Sequence, residues 1–387
     1  MRSITFISPQ LYALLAPLSQ SAVGGAERQF YLLGRALAQK GWRVVFVTAR
    51  QKNKKADTLN IDWAEHHAID FSYLGGNKFS FVRTVIRLFS IMKKTKTDYY
   101  VIKMPTHLLP FVCINAKIFR KKTIFWAQMD YDAIPKKRRH MKALANTLTN
   151  FGLYLCHAII AQHQDQVVAF KKYFKREAHV INSIADCLVN ESHQIAPRDI
   201  DVLWVGNASV HKQYEYVYAL AEQMPEISFV VIMNNSDSSR YSLAETKAND
   251  IPNVSFKGQL SPFEAEAYFP RAKIVLNTST VEGFPNTFLQ AWINNTVVVS
   301  LRVDPNALLR KKGLGEVLFF DSKENDELQE FLKRATNVIG HLLNDDEKIA
   351  EIGSKAFDYV KEFHSPQHVV SEFLSVVDLF TQEAQSA

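Results

Sequence analysis

The sequence has 387 residues, 47% of them hydrophobic, which excludes an intrinsically disordered chain and suits two domains of about 190 residues each. No uninterrupted apolar stretch reaches the roughly 20 residues that span a bilayer, which excludes a membrane-spanning helix. Cys113, Cys156 and Cys187 have no metal-ligand or redox spacing, so we expect buried thiols.

The charge is distributed unevenly along the chain, whose net charge is +7. Residues 1–183 contain 29 Lys and Arg against 10 Asp and Glu, whereas the remainder contains 17 against 29. This asymmetry predicts an acidic partner for the first half, either nucleic acid or an anionic membrane. Because no zinc-finger spacing, RNP signature or basic heptad helix is present, we predict a membrane surface and no nucleic acid.

Strand and helix patterns alternate through the first half of the chain, as in an α/β fold. The apolar N-terminal segment is interrupted by Pro9 and Pro17, and a glycine pair and a helix follow it. We therefore interpret it as a core strand and loop and not as a signal peptide. The predicted strands are residues 4–8, 42–49, 98–104, 123–128, 157–162 and 178–183, and the helix over 26–40 ends at Gly41.

Gly24 and Gly25 lie at the turn between the first strand and the first helix. The pair either forms a simple tight turn or lets backbone N–H groups approach a phosphate or sugar closely. The segment has neither the spacing of a dinucleotide-binding loop nor the lysine of a P-loop.

Residues 79–97 form an amphipathic stretch with Phe81, Val85, Leu88 and Met92 at helical spacing. Such a stretch is either a surface helix packed on the sheet or an interfacial helix resting on anionic lipid. Three basic clusters further along either share one face of the domain or are separate solvated runs. They lie at residues 120–122, at 136–140 with Lys142, and at 171–172.

Residues 184–200 carry little periodicity and are predicted to be a linker. The alternation then restarts, so we predict two Rossmann-like, doubly wound parallel-sheet domains with a ligand cleft between them. The predicted strands of the second half are 201–206, 227–233, 253–260, 273–279 and 296–302, and the helices are 214–224, 262–272 and 287–292, with further helices within 345–385.

Three strands of the second half end in residues that suit one ligand. Lys212 follows the first strand, Gly258 ends the third, and Glu282 follows the fourth. Because the carboxyl ends of parallel strands share one edge of a sheet, we expect these residues to lie together. Asn286 is a good N-cap for the next helix, whose free N–H groups suit an anion. A cation, free N–H groups and a carboxylate together suit a nucleotide diphosphate that carries a sugar.

The sequence resembles the GT-B-fold retaining glycosyltransferases of family 4 over nearly its whole length. VGNASVHKQ (205–213) is similar to the family's Gly-Arg-(x4)-Lys phosphate motif, and EGFPNTFLQAW (282–292) is similar to its Glu-x7-Glu motif. GGAERQFYLLGRALAQKGWRVVFVT (24–48) resembles its N-terminal glycine loop, helix and second strand. FKGQLS (256–261) resembles the strand and loop that cover the nucleotide base.

The resemblance implies a role for each matching residue. Lys212 would stabilise the diphosphate as the glycosidic bond breaks, Glu282 would contact the donor sugar hydroxyls, and Asp130 could orient the acceptor. The other implied substrate contacts are Gly24 and Gly25 over the phosphate, Gly258, Gln259 and Leu260 at the base, Gly283, Phe284, Pro285, Asn286 and Thr287 around the sugar and phosphate, and Asn207 and Gln290 within the two motifs.

Two positions depart from the family motifs, since Asn207 replaces the arginine and Gln290 the second glutamate. Gln290 can still hydrogen-bond a ribose hydroxyl, so we expect that contact to remain. The charge lost at Asn207 is worth about 2–4 kcal/mol of transition-state stabilisation, which Lys257 or a cation of the first domain could offset. Gln128 stands near the place where family members often carry a histidine.

We therefore predict a retaining, metal-independent and cofactor-free glycosyltransferase that moves a sugar from a nucleotide-diphosphate sugar to a lipid-linked glycan in cell-surface polysaccharide or lipopolysaccharide biosynthesis. It would be cytoplasmic and bound to the inner face of the cell membrane. A GT-B-fold sugar-nucleotide epimerase and a non-catalytic relative that binds nucleotide sugar or glycan stay open as alternatives. The predicted domains are 1–183 for the acceptor and membrane, 201–365 for the donor, and a C-terminal helix in 366–387 that could return to the first domain.

Overall fold

The computed structural model describes residues 1–16, 24–50, 58–71, 78–103, 106–138, 142–186, 197–319 and 325–383. Within these ranges the chain forms two compact units, each built around a parallel β-sheet. Unit 1 takes residues 1–16, 24–184 and 366–383, and unit 2 takes residues 185–365. The predicted α/β class with two Rossmann-like parallel sheets is confirmed.

The sheet of unit 1 has seven parallel strands. They are β1 (Ser3–Ile7), β2 (Arg43–Ala49), β3 (Glu65–Ile69), β4 (Tyr99–Lys103), β5 (Lys122–Trp126), β6 (Ala158–Ala161) and β7 (His179–Val180). Their order is β3-β2-β1-β4-β5-β6-β7, so the direction of strand addition reverses between β1 and β4, as in doubly wound folds. Every residue of β1 and β4 is buried, because helices cover both faces.

Helices cover the two faces of this sheet in separate layers. They are α1 (Tyr12–Leu15), α2 (Gly25–Gln39), α3 (Lys78–Thr95), α4 (Leu109–Ile118), α5 (Ala143–Leu155), α6 (Gln164–Phe174) and the C-terminal helix (Pro366–Glu383). α2 and the C-terminal helix share one core around Phe30, Trp126 and Phe373, and α3 to α6 share the other around Val112 and Phe125. The C-terminal helix therefore completes unit 1, although unit 2 precedes it in the chain.

The sheet of unit 2 has six parallel strands. They are β8 (Ile200–Asn207), β9 (Phe229–Asn234), β10 (Val254–Gly258), β11 (Ala272–Asn277), β12 (Val297–Ser300) and β13 (Gly315–Val317), in the order β10-β9-β8-β11-β12-β13. The helices are α7 (Glu215–Gln223), α8 (Ser238–Asn249), α9 (Pro262–Glu266), α10 (Asn286–Trp292), α11 (Leu308–Lys312), α12 (Asn325–Leu343) and α13 (Asp346–Phe363).

Proline explains two differences from the predicted boundaries in unit 2. The helix predicted over 262–272 stops at Glu266, and Pro270 belongs to a separate 3-10 turn before β11. α10 begins at Asn286 and its N-cap is Pro285, so the prediction that Asn286 is the N-cap is wrong. In unit 1, the strand predicted over 178–183 shortens to the two residues of β7 at the sheet edge.

The amphipathic stretch 79–97 forms α3 and packs on the sheet, which is the first of the two interpretations. Leu88 and Met92 are buried in the core that α3 shares with α4, and Phe81 and Val85 pack against it. The hydrophobic residues that gave the helical periodicity are therefore used by the fold itself.

The prediction that the cluster at 136–140 is a solvated basic run is wrong for Arg138, which is 1% exposed. Its Nη1 donates to the Oδ1 atoms of Asn146 and Asn150 at 3.1 and 2.7 Å. Burial lowers the pKa of Arg138 to about 10. Arg138 thus holds the segment after β5 onto α5. Residues 139 and 140 lie outside the described residues.

Cys113 and Cys156 are buried thiols as expected, and burial raises their pKa values to about 11 and about 12. Cys187 lies outside the described residues. In the described part of the chain, no helix combines the length and the hydropathy needed to cross a membrane.

Candidate functional site

Lys212 and Glu282 meet at the carboxyl edge of the unit 2 sheet. Lys212 follows β8 in a short 3-10 turn, and Glu282 lies in the loop after β11. Lys212 Nζ donates a hydrogen bond to Glu282 Oε1, and the two side chains are only 22% and 14% exposed. Because β8 and β11 are parallel neighbours, their ends bring the two loops together. The pair offers a cation and a carboxylate side by side, as a phosphate and a sugar hydroxyl require.

A buried chain of hydrogen bonds fixes the two loops against each other. Trp204 Nε1 donates to Thr278 Oγ1 at 2.9 Å, and that hydroxyl donates in turn to the Lys212 carbonyl. The Thr280 amide donates to the His211 carbonyl at 2.9 Å. Since Trp204 and Thr278 are almost fully buried, water does not compete for their bonds. The backbone that presents Lys212 and Glu282 is therefore preorganised.

Asn207 ends β8 at the position of the motif's arginine. Its Oδ1 accepts a hydrogen bond from Asn234 Nδ2 at 3.1 Å, which ties the ends of β8 and β9 together. The side chain thus supplies an amide dipole and no charge to this edge. Lys257, which we considered as a replacement cation, is exposed on the edge strand β10.

Arg302 is a cation that the sequence analysis did not assign to the site. It follows β12, and its guanidinium donates to Gln213 Oε1 and, at 3.2 Å, to the Tyr216 hydroxyl. Gln213 is the residue next to Lys212, so Arg302 brings a second positive charge to the Lys212 loop. A signal was present, because Arg302 ends the strand pattern 296–302 and hence joins the same edge.

The segment from Gly258 to Leu260 turns sharply at the end of β10, two strands from β8. Gly258 has a φ of +65°, and a Cβ there would lie 2.7 Å from the Tyr241 hydroxyl, so glycine is required. Gln259 Oε1 accepts from the Asn235 amide at 3.1 Å, which ties the segment to the end of β9. Leu260 is half-buried against the unit 2 core.

The segment after Glu282 leads directly into α10. The Phe284 ring packs against Trp292 and His364, with ring centres 6.2 and 5.1 Å apart. Phe284 therefore anchors the segment in the core and leaves its backbone groups to form the edge. Gly283, Phe284 and Pro285 are buried, whereas Asn286 and Thr287 are half-buried.

Gln290 lies on α10 beside Glu266 of α9. Gln290 Nε2 donates to Glu266 Oε1 at 3.4 Å, and both residues are half-buried. The place of the motif's second glutamate thus holds an amide paired with a carboxylate from another helix. Sequence reasoning missed Glu266, because its local pattern signals only the capped start of α9.

Gly24 and Gly25 begin α2 in unit 1. Gly24 is the N-cap, and a Cβ there would lie 2.5 Å from Glu27 Oε2. Lys103 ends β4 and donates from Nζ to the Ala26 carbonyl at 2.8 Å, and burial lowers its pKa well below the usual value. The glycine pair therefore lies at a helix N-terminus on the carboxyl edge of the unit 1 sheet.

Asp130 belongs to a polar cluster at the carboxyl ends of β5 and β6. Its Oδ1 lies 2.7 Å from His163 Nε2 and accepts from Gln166 Nε2 at 3.4 Å. The Asp130 side chain is 42% exposed, whereas His163 is buried and its Nδ1 has no partner among the described residues. Gln128 is also buried and donates to the Ala127 carbonyl. The imidazole at this edge thus comes from the strand after the expected one.

The structure brings the predicted residues together in two separate groups. The donor-side residues of unit 2 share one sheet edge, and Gly24, Gly25 and Asp130 lie at the carboxyl edge of unit 1. Over the described ranges, no group of three or more His, Cys, Asp or Glu residues is arranged to hold a metal ion.

Two family models match the chain. "Glycosyltransferase Family 4" matches residues 23–186, and "Glycosyl transferases group 1" matches residues 199–338. A search of curated protein sequences finds no significant match.

Solved structures with similar folds cover nearly the whole chain. Sucrose-phosphate synthase from Thermosynechococcus elongatus has a TM-score of 0.76 at 15% identity, with 100% of both chains covered. S. aureus TarM with fondaparinux, alpha-GlcNAc-glycerol and UDP has a TM-score of 0.69 at 11% identity, with 97% and 99% covered. Trehalose 6-phosphate synthase from Burkholderia multivorans has a TM-score of 0.68 at 11% identity, with 100% and 98% covered.

These likenesses establish the fold, and the two matched families between them account for both units and for the Lys212 and Glu282 loops. The chain is a glycosyltransferase of the GT-B type.

Proposed function

We propose that this glycosyltransferase is a retaining, metal-independent enzyme that moves a sugar from a nucleotide-diphosphate sugar to a lipid-linked glycan. The observation that carries the proposal is the ion pair of Lys212 and Glu282 on a preorganised edge of unit 2. We place the reaction in cell-surface polysaccharide or lipopolysaccharide synthesis, at the inner face of the cell membrane. UDP is named in the TarM and pneumococcal O-GlcNAc transferase structures, and retention in a study of trehalose-6-phosphate synthase.

Donor binding would rearrange the ion pair. The diphosphate replaces Glu282 as the partner of Lys212, and the released carboxylate accepts hydrogen bonds from sugar hydroxyls. Lys212 then stabilises the charge that develops on the leaving phosphate, and Arg302 supplies the second cation that Asn207 lacks. The backbone of 283–285 and the first N–H groups of α10 complete the phosphate and sugar pocket.

The transfer itself needs no side-chain nucleophile. The bond between the anomeric carbon and the phosphate oxygen breaks, and a bond from that carbon to the acceptor oxygen forms on the same face. The acceptor proton passes to the leaving phosphate oxygen. Asp130, held by His163, would orient the acceptor, and the Gln290–Glu266 pair would hold the ribose of the donor.

The alternative that a specific observation favours is a non-catalytic GT-B relative. Asn207 and Gln290 both depart from the motifs that bind the donor. Such a protein would bind the nucleotide sugar or glycan without releasing nucleoside diphosphate.

The test is nucleoside diphosphate release from a panel of nucleotide sugars, with and without lipid-linked acceptors. We expect release only when an acceptor is added, unchanged by a chelator, and a product whose anomeric configuration by NMR equals that of the donor. Donor binding without release under any condition would favour the non-catalytic relative. An inverted product would refute retention, and loss of release with the chelator would refute metal independence.

A further inference from the structure

Helices α3, α4 and α5 lie side by side on one face of the unit 1 sheet, and none of their residues is Asp or Glu. α4 packs against both neighbours, and its contact with α5 is close, since a Cβ at Gly152 would lie 2.6 Å from Leu109 Cγ. The cations exposed on or beside these helices are Arg83, Lys93, Lys94, Lys117, Arg120 and Lys142. We call the solvent-facing side of these three helices the outer helix face.

Large apolar side chains are exposed on the same face. Those of α3 and α4 are spaced four residues apart, which aligns them along each helix. Phe89 of α3 stacks on Phe119 at the end of α4, with ring centres 5.2 Å apart, and joins the two rows. The apolar side chains that are between 41% and 61% exposed are Val82, Ile86, Ile114, Ile118, Leu144, Phe151 and Tyr154.

The core does not need these side chains. The inward faces of the three helices already bury Leu88, Met92, Val112 and Leu153 against the sheet. A single exposed apolar residue is ordinary, but aligned rows on three adjacent helices form a patch that seeks a partner. Because the patch contains cations and no carboxylate, its charge is complementary to an anionic surface and opposed to a basic one.

We propose that the outer helix face docks the protein on an anionic lipid bilayer. The apolar side chains enter the boundary between headgroups and acyl chains, and the cations lie at the level of the lipid phosphates. This deepens the proposed function, on which the lipid-linked acceptor rests, by assigning the membrane contact to three helices. Docking itself is independent of sugar transfer and is tested separately.

The first test compares vesicle flotation of the wild type with a triple variant, Ile86→Ser, Ile118→Ser and Phe151→Ser. The wild type is expected to float with vesicles containing phosphatidylglycerol and not with pure phosphatidylcholine, and binding falls at high salt. The apolar variant binds at least about tenfold more weakly, since each buried methylene contributes to insertion. The matched control, Leu243→Ser with Leu379→Ser, removes exposed apolar groups elsewhere and floats like the wild type.

A second variant separates charge from hydrophobicity. Arg83→Gln, Lys93→Gln and Lys117→Gln together lower binding to anionic vesicles about tenfold or more and reduce its salt dependence. Thermal shifts with nucleoside diphosphates, measured on every variant, show whether each is folded and whether the donor site is intact. Because neither variant touches unit 2, those shifts equal the wild-type shift.

Three results would overturn docking: equal flotation of wild type and apolar variant, no binding of the wild type to anionic vesicles, or dimerisation by light scattering that both variants abolish. The last would show that a second copy covers the face. Flotation as expected together with failure of sugar transfer would leave docking intact and refute the proposed function, so the two failures are distinguishable.

Discussion

The two units share one plan, a twisted parallel sheet covered by helices, but they are specialised in different places. Unit 2 carries its distinctive residues in loops at the carboxyl edge of the sheet, where Lys212 meets Glu282. Unit 1 carries its distinctive residues on the outside of its helices. In α3 to α5 acids are absent, whereas α12 and α13 of unit 2 interleave acidic and basic residues. The shared interior sets only which residues are buried, so loops and outer faces are free to diverge.

The largest expected effect comes from Lys212→Ala, which tests whether donor chemistry belongs to unit 2 alone. We expect turnover to fall about 100- to 1,000-fold, because a charge at the leaving phosphate is worth about 3–4 kcal/mol. Thermal melting stays near the wild-type value. Lys247→Ala, which breaks an exposed ion pair with Glu222, is the control and leaves turnover unchanged. Near-normal turnover of Lys212→Ala would remove the donor role from unit 2.

Acid is expected to weaken unit 1 through His66. Burial lowers the pKa of this residue from 6.5 to about 4, while Nδ1 accepts the Leu59 amide at 2.9 Å and Nε2 contacts Thr48. The folded pKa is below the unfolded one, so the unfolded chain takes up the proton first and stability falls as the pH drops from 6.5 towards 4. Between pH 7 and pH 5 this amounts to about 2 kcal/mol.

Hydrogen exchange at the two pH values measures this loss unit by unit. Peptides from β2 and β3 exchange faster at pH 5 in the wild type, and His66→Gln, although weaker at both values, loses less between them. The same pH dependence in wild type and variant would show that His66 does not cause it.

Arg302→Gln tests whether a cation from β12 compensates for Asn207. We expect kcat to fall about tenfold, or about 1.4 kcal/mol, with little change in stability. The double variant Asn207→Arg, Arg302→Gln should recover part of that loss, since it returns a charge to the same edge. If Asn207→Arg recovers nothing, the two positions do not share one role.

The smallest effect is expected from Gln290→Glu, which restores the family residue. Because Glu266 Oε1 lies 3.4 Å from Gln290 Nε2, a second carboxylate there meets a like charge. We expect a loss of about 1 kcal/mol in stability at neutral pH and weaker donor binding. Adding Glu266→Gln should reverse both in a double-mutant cycle, and strictly additive effects would contradict the pairing.

Much of the donor edge was predictable because it follows from a rule of topology. Once β8, β10 and β11 are parallel, their carboxyl ends share an edge, and Lys212, Gly258 and Glu282 come with them. Arg302 followed from the same rule and was missed only because no motif marks it. Glu266 was not predictable, since its contact with Gln290 depends on how α9 and α10 pack.

Local chemistry in the sequence by itself determined the alternation of strands and helices, the chain halves and the charge asymmetry. These depend on periodicity, turn residues and composition, which need no partner in space. Tertiary structure alone decided which charged or apolar residues the fold consumes. Arg138 looked solvated and is buried, whereas Ile86 and Ile118 are excluded from the core and remain exposed. The physical reason is that a helix has two sides, and only packing against the sheet determines which of them faces water.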